Sequence, residues 1–298
     1  MAILIDKFAR VLIQGITGRS GVQVTSELLN YGTKVVAGVT PGKGGQVVDT
    51  VPVFNSIQEA ISKVGKIDVV MVYVPPYSAK DAVFEAINAK IPFIHIFVER
   101  IPILDTSKML FEAKKQGIRI LGPASVGIIS PQEVKIGSIG GPDPNQVFAK
   151  GPIGVISRSG GMCSEIGLLL KKNNLGVSWA VGIGGDRIIG TDFADLLLEL
   201  ENDPETKASV IFGELGGTYE ERVAEFVKSG QIKKPVVAFI AGEFTLSLPN
   251  DVQFGHAGAI IEGTRGMPDQ KRKVLREAGV KVADNLDQIP ELIKSMLK

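Results

Sequence analysis

Residues 10–21 read RVLIQGITGRSG, and that stretch decides how the rest of the chain is taken. RVLIQ (10–14) is a short apolar run with β-branched residues, glycines at 15, 18 and 21 interrupt it, and an amphipathic segment begins at once. Strand, glycine loop and helix in that order are the grammar of a helix-covered parallel sheet. Working outward, KVVAGV (34–39), DVVMVYV (68–74), FIHIFV (93–98) and IRIL (118–121) have the length and side-chain type of buried strands. The segments between them repeat apolar residues at three and four, as helices do. Residues 122–152 are dense in Gly, Pro, Ser and Asn. The alternation then restarts with IGVIS (153–157), SWAVGIG (178–184), ASVIFGE (208–214), PVVAFIAG (235–242) and VKVA (280–283). The expectation is an α/β protein of two open, doubly wound domains, 1–127 and 153–298, with 128–152 as linker.

The 298 residues are enough for two such cores. Basic and acidic residues number 33 and 32, giving a formal net charge of +1 with no long run of one sign, which gives no support for nucleic-acid binding. No run of about 18 apolar residues suggests a membrane span, and the first residues lack the pattern of a secretory leader. The single cysteine, Cys163, allows no intrachain disulfide and fits a reducing, cytoplasmic setting. With only two histidines, far apart in sequence, no metal site is expected.

The first glycine loop places backbone amides at a helix N-terminus, where they suit a phosphate. Its spacing, G-x-x-G-x-x-G, is not that of dinucleotide enzymes, and no acid closes KVVAGV to hold a ribose hydroxyl. TPGKGG (40–45) stands there instead and offers Lys43. A phosphorylated ligand other than NAD fits better, against a bland reading of a tight turn. A second loop, VISRSGGMCSE (155–165), has the same grammar, with Ser157, Ser159, Gly160 and Gly161 as an anion cradle. GIGGDR (182–187) and FGELGG (212–217) also end strands, so Asp186 and Glu214 are expected on the same rim.

FGHAGAII (254–261) sets His256 between glycines. An open imidazole titrating near neutrality is a competent nucleophile toward phosphorus, and Glu214 is the best carboxylate to hold one ring nitrogen. The competing reading makes His256 the cap of a helix beginning at Ala257. Cys163 lacks an adjoining histidine and reads as a packed side chain, and His95, inside FIHIFV, reads as a core histidine.

ILIDK, QGITGRSG, VTPGKGG, VPVFNS, KIGSIGG, SRSGG, GIGGD, GELGG and GHAGAII, in this order over essentially the whole chain, resemble the α subunits of the nucleotide-forming acyl-CoA synthetases, of which succinyl-CoA synthetase is the familiar member. The resemblance implies a Rossmann-like, CoA-binding N-terminal domain and a flavodoxin-like second domain with a transiently phosphorylated histidine. It assigns coenzyme A contacts to Thr17, Gly18, Arg19, Ser20, Lys43, Phe97, Val98 and Glu99, the phosphohistidine to His256 and its carboxylate partner to Glu214. Three segments depart from the succinyl-CoA synthetase pattern: GPASVG (122–127), SRSGGMCSE (157–165), where Ser164 replaces a tyrosine, and NDVQFGHAG (250–258). These look like ATP-citrate lyase, and on that likeness Ser159, Gly160 and Gly161 become citrate contacts. No lyase module follows before Lys298. The sequence therefore points first to citryl-CoA synthetase, with succinyl-CoA synthetase as the alternative.

The chain shows neither a Walker A loop nor an ATP-grasp array, so the resemblance implies that ATP and Mg2+ belong to an ATP-grasp β subunit in an αβ heterodimer or larger heteromer. Two other classes stand beside this reading. A non-catalytic CoA sensor would be favoured by loss of His256 or Glu214, both of which are present. An NAD(P) oxidoreductase is weakened by the glycine spacing.

Overall fold

The structure, a computed structural model, describes residues 5–242, 256–258 and 266–297. Among these residues it is an α/β protein built on two seven-stranded sheets. The first has the order β3-β4-β2-β1-β5-β6-β7, from β1 (Arg10–Gln14), β2 (Lys34–Val39), β3 (Val47–Val48), β4 (Val51–Phe54), β5 (Val69–Val72), β6 (Phe93–Ile96) and β7 (Arg119–Leu121). All its pairings are parallel except β3 with β4. Helices α1 (Arg19–Tyr31), α2 (Ile57–Val64), α3 (Ala79–Asn88) and α4 (Ile103–Lys115) supply the crossovers. Every residue of β5 and β6 is buried, as expected of strands covered on both faces.

The second sheet has the order β14-β13-β12-β10-β11-β8-β9, from β8 (Gly127–Ser130), β9 (Val134–Gly137), β10 (Lys150–Ser157), β11 (Val177–Gly182), β12 (Ala208–Gly213), β13 (Val236–Ile240) and β14 (Lys281–Val282). Five helices accompany it among the described residues: α5 (Gly160–Lys172), α6 (Phe193–Glu201), α7 (Tyr219–Lys228), α8 (Pro268–Glu277) and α9 (Gln288–Met296). None of the described helices is long and apolar enough to cross a membrane.

The stretch 128–152, expected as linker, carries strands instead. β8 and β9 form an antiparallel hairpin, and β8 pairs antiparallel with β11, so the hairpin closes one edge of the second sheet. Pairing with β11 gives backbone groups in a glycine-rich stretch their hydrogen-bond partners. The hairpin also ties the domains together: Thr33 Oγ1 donates to the Lys135 carbonyl at 2.8 Å, and buried Lys135 Nζ lies 3.6 Å from buried Glu27 of α1. One apolar cluster runs from Ile13 and Met71 of the first sheet to Ile136, Ile156 and Val181 of the second. The two sheets thus share a core.

His95 lies on this seam. It is fully buried, and its Nε2 donates to the Ser125 carbonyl at 2.9 Å, while Ser125 Oγ donates to the Gly182 carbonyl at 2.6 Å. Burial pushes its pKa down to about 4, so the ring is neutral at pH 7. Its place is structural, as the apolar run around it suggests.

Candidate active site

The carboxyl ends of the first sheet open into two neighbouring clefts that share Tyr73 and Val74. The larger, about 560 Å³, is lined by Thr17, Gly18 and Lys43 among others. Asn55 Oδ1 accepts the N–H groups of Gly42 and Gly44 and so fixes the loop that carries Lys43, and Thr17 Oγ1 meets Thr40 Oγ1 at 3.1 Å. The smaller, about 460 Å³, is lined by Ser20, Phe97, Val98 and Glu99 together with Ser125 and Val126 of the seam. Of the eight positions assigned to coenzyme A, three line the first cleft and four the second. Arg19 is exposed at the first residue of α1 and lines neither. Sequence reading passed over Tyr73, whose ring stacks on Phe97 at 4.6 Å and forms the wall between the clefts. It also passed over Asp81 and Glu85 of α3, which lie in the larger cleft. Nothing in an amphipathic helix marks two acids as cleft residues.

In the second sheet the ends of β10, β11 and β12 converge. After β10, Ser159 caps α5 by accepting the Met162 N–H, while Ser157 Oγ donates to the Ser159 carbonyl at 2.6 Å. The first amides of α5 have no carbonyl of their own helix to bond, and the helix dipole adds partial positive charge there. Gly160 packs against Val126 of the seam, so a Cβ would lie 2.8 Å from that side chain, whereas Gly161 stays open. Cys163 is buried in the same helix, its thiol pushed up to about 12 by burial, which removes it as a thiolate nucleophile.

The loop after β12 brings Glu214 to His256. The ring Nδ1–H donates to both carboxylate oxygens, at 2.8 and 2.9 Å. Glu214 is largely buried, while His256 is 37% exposed. The Glu214 hydrogen bond raises the His256 pKa; burial opposes it, the Glu214 charge reinforces it, Arg158 lowers it and Glu99 raises it. Nδ1 is thus engaged by Glu214, and Nε2 is the ring nitrogen outside that contact. The alternative of a cap for a helix beginning at Ala257 falls largely on residues 259–265, outside the described residues.

Arg158, inside the SRSGG motif, organises the rim. It is fully buried, with Nε 3.4 Å from Glu214 Oε1, and its terminal nitrogens donate to the carbonyls of Gly216 (3.3 Å) and Asp186 (3.2 Å). Its guanidinium lies 5.6 Å from the Tyr219 ring. One side chain thus bonds the loops after β11 and β12 and sits beside the carboxylate that holds the histidine. Asp186 is nearly buried. Burial raises its pKa, as does the Glu99 charge, against the Arg100 N–H and the charges of His256 and Arg158. Glu99 comes from the first domain, just after β6, so a charge of that domain bears on His256 in the second.

The arrangement offers an imidazole held by a carboxylate, an anion-favouring helix N-terminus on the same rim, and, in the adjoining domain, two clefts of which the smaller reaches Ser125 and Val126 of the seam. Residues 6–100 match the CoA binding domain model and residues 156–281 the CoA-ligase model. The chain is 45% identical over 297 residues to the succinate–CoA ligase [ADP-forming] subunit alpha 2 of Archaeoglobus fulgidus, covering 100% of both chains. It is 44% identical to the corresponding subunit alpha of Staphylococcus aureus, covering 97% of this chain and 93% of that one. Among solved structures, the ATP citrate lyase of Methanothrix soehngenii in complex with citrate and coenzyme A superposes with a TM-score of 0.90 at 26% identity. That match covers 98% of this chain and 50% of the lyase chain.

Proposed function

Since the chain belongs to the family of ADP-forming succinate–CoA ligase α subunits, we propose that it is the subunit that binds coenzyme A and carries the phosphoryl group on His256 while succinate is converted to its CoA thioester. The family makes it an acid–thiol ligase with a CoA-binding domain. The observation that carries the residue-level reading is the bidentate Glu214–His256 contact at the convergence of β10, β11 and β12.

The chemistry follows from the ring. With Nδ1–H held by Glu214, the lone pair of Nε2 attacks the terminal phosphorus of ATP held by an ATP-grasp β subunit with Mg2+; the N–P bond forms as the P–O bond to ADP breaks. The Glu214 carboxylate stabilises the positive charge the ring acquires. The acid's carboxylate then attacks phosphorus, the N–P bond breaks, and an acyl phosphate results. The thiolate of coenzyme A attacks the acyl carbon and inorganic phosphate leaves. Ser159, Gly160 and Gly161 at the start of α5 suit the anionic oxygens of phosphate and acid, and Thr17, Gly18 and Lys43 suit the phosphates of coenzyme A.

The order of acids differs from the one read in the sequence. Citrate stood first there, on SRSGGM and its neighbours; full-length relatives at 44–45% identity put succinate first. Citrate remains the second reading, favoured by Ser159-Gly160-Gly161 and by the likeness to a citrate-bound lyase. The test is to label the complex of this chain and its β subunit with γ-labelled ATP and Mg2+, then chase with CoA plus either acid. Discharge by succinate is expected; discharge by citrate alone would transfer the assignment to citryl-CoA synthesis.

A further inference from the structure

The carboxylate that orients His256 is itself mounted on a buried ion pair. Lys271 of α8 and Glu220 in the first turn of α7 are both fully buried, with Nζ 2.5 Å from Oε2. Lys271 Nζ also donates to the Glu214 carbonyl at 2.9 Å and to the Gly216 carbonyl at 2.6 Å. Its three N–H donors therefore have three acceptors. The other oxygen of Glu220 accepts the Glu214 N–H at 3.2 Å. The main-chain donor and acceptor of Glu214 are thus each bonded to one member of the pair. Gly213, just before it, has a stake in the same geometry, since a Cβ there would lie 2.4 Å from Glu220 Oε1.

Burying two full charges is a poor route to stability, because desolvation offsets most of their attraction. A residue whose main chain is pinned at both ends by such a pair, while its side chain makes a bidentate bond to the reactive ring, gives the pair a different use. We propose that Lys271 and Glu220 are positioning residues for the phosphoryl-accepting couple: they fix the main chain of Glu214 so that both of its oxygens reach His256 Nδ1. Neither touches the imidazole. The charged groups that bear on the ring itself are Glu214, Arg158, Glu99 and Asp186. The inference rests on the phosphohistidine reading above and deepens that site.

The experiment uses the full chain with ring-labelled histidine, assembled with its unlabelled β subunit, and follows the His256 resonance against pH. The chain has two histidines, and His95 titrates at about 4, so the signal near neutrality belongs to His256. The variant is Lys271→Met combined with Glu220→Gln, which removes both charges at similar volume and leaves neither stranded. Glu214→Gln marks the value reached when the carboxylate is lost. In the paired variant the His256 pKa is expected to fall toward that of Glu214→Gln. Phosphoryl transfer to His256 should slow about tenfold, with the KM for coenzyme A unchanged. A folded paired variant with the wild-type pKa and rate overturns the proposal. Should that variant fail to fold, Glu220→Asp, which keeps both charges and draws the carboxylate back by one methylene, decides: a smaller shift in the same direction supports positioning, and an unshifted ring overturns it. A wild-type complex that never labels His256 would sink the phosphohistidine reading instead, and the titration would still report on positioning.

Discussion

At the scale of single residues, the glycines around His256 are there because side chains would not fit. A Cβ on Gly185 would lie 2.4 Å from the imidazole Cγ, and one on Gly258 would lie 2.3 Å from an Arg158 nitrogen. The ring and the guanidinium reach their partners across bare backbone. Glu214 raises the His256 pKa, and attack on phosphorus needs the neutral ring, so phosphorylation should accelerate as pH rises through that raised value. In Glu214→Gln the rising limb should move to lower pH, toward the ordinary histidine value of about 6.5, with the plateau rate down by about a hundredfold or more. Pre-steady-state labelling over a pH series reads both. The stability linkage has a definite sign: a histidine pKa raised by folding stabilises fully below about pH 6.5, and that contribution disappears as pH rises through the folded value. Urea midpoints of Glu214→Gln and wild type should therefore differ more at pH 6 than at pH 9; an equal difference at both would contradict the linkage.

At the scale of elements, the site is made by strand ends. The loops after β10, β11 and β12 each deliver one part of it: the start of α5, Asp186 with Gly185, and Glu214. Gly185→Ala should leave the sheet intact, because the change lies beyond β11, yet displace the ring and cut His256 labelling by about tenfold or more. Circular dichroism alongside labelling separates this from unfolding. These strands, and the convergence of their glycine-rich ends, were legible in the sequence because buried parallel strands are short apolar runs and turns carry glycine. Other parts were not. β8 and β9 are four-residue strands embedded among turn formers, and only pairing with β11 makes them strands. Lys271 sits in PDQKRKVLRE, which reads as a solvated basic helix. Its burial is decided by Glu220 and by carbonyls from the β12 loop, contacts between residues more than fifty positions apart. Arg158 lies inside the SRSGG motif, but its reach to two loops depends on how the strand ends are spaced.

At the scale of the whole molecule, the two sheets form one body because the hairpin of the second packs on the first helix. Buried Lys135 facing Glu27 is a charged contact of that seam. Lys135→Met should cost about 3–5 kcal/mol by stranding Glu27, and adding Glu27→Gln should recover much of it. Thermal melts of the single and double variants check this, and equal losses in both would show that the charges are not paired. The seam also brings Glu99 of the first domain near the ring of the second; on the proposed function, this is where coenzyme A held in one domain would meet the acyl group activated in the other. The proposed function depends on His256 carrying phosphate on Nε2. The decisive measurement is therefore phosphorus NMR, with mass-spectrometric site mapping, of the complex after exposure to ATP and Mg2+. An acid-labile phosphoryl group is expected on Nε2 of His256, absent from a His256→Asn complex that still binds coenzyme A. Turnover by His256→Asn, or phosphate on any other residue of the chain, would remove His256 from the phosphoryl relay.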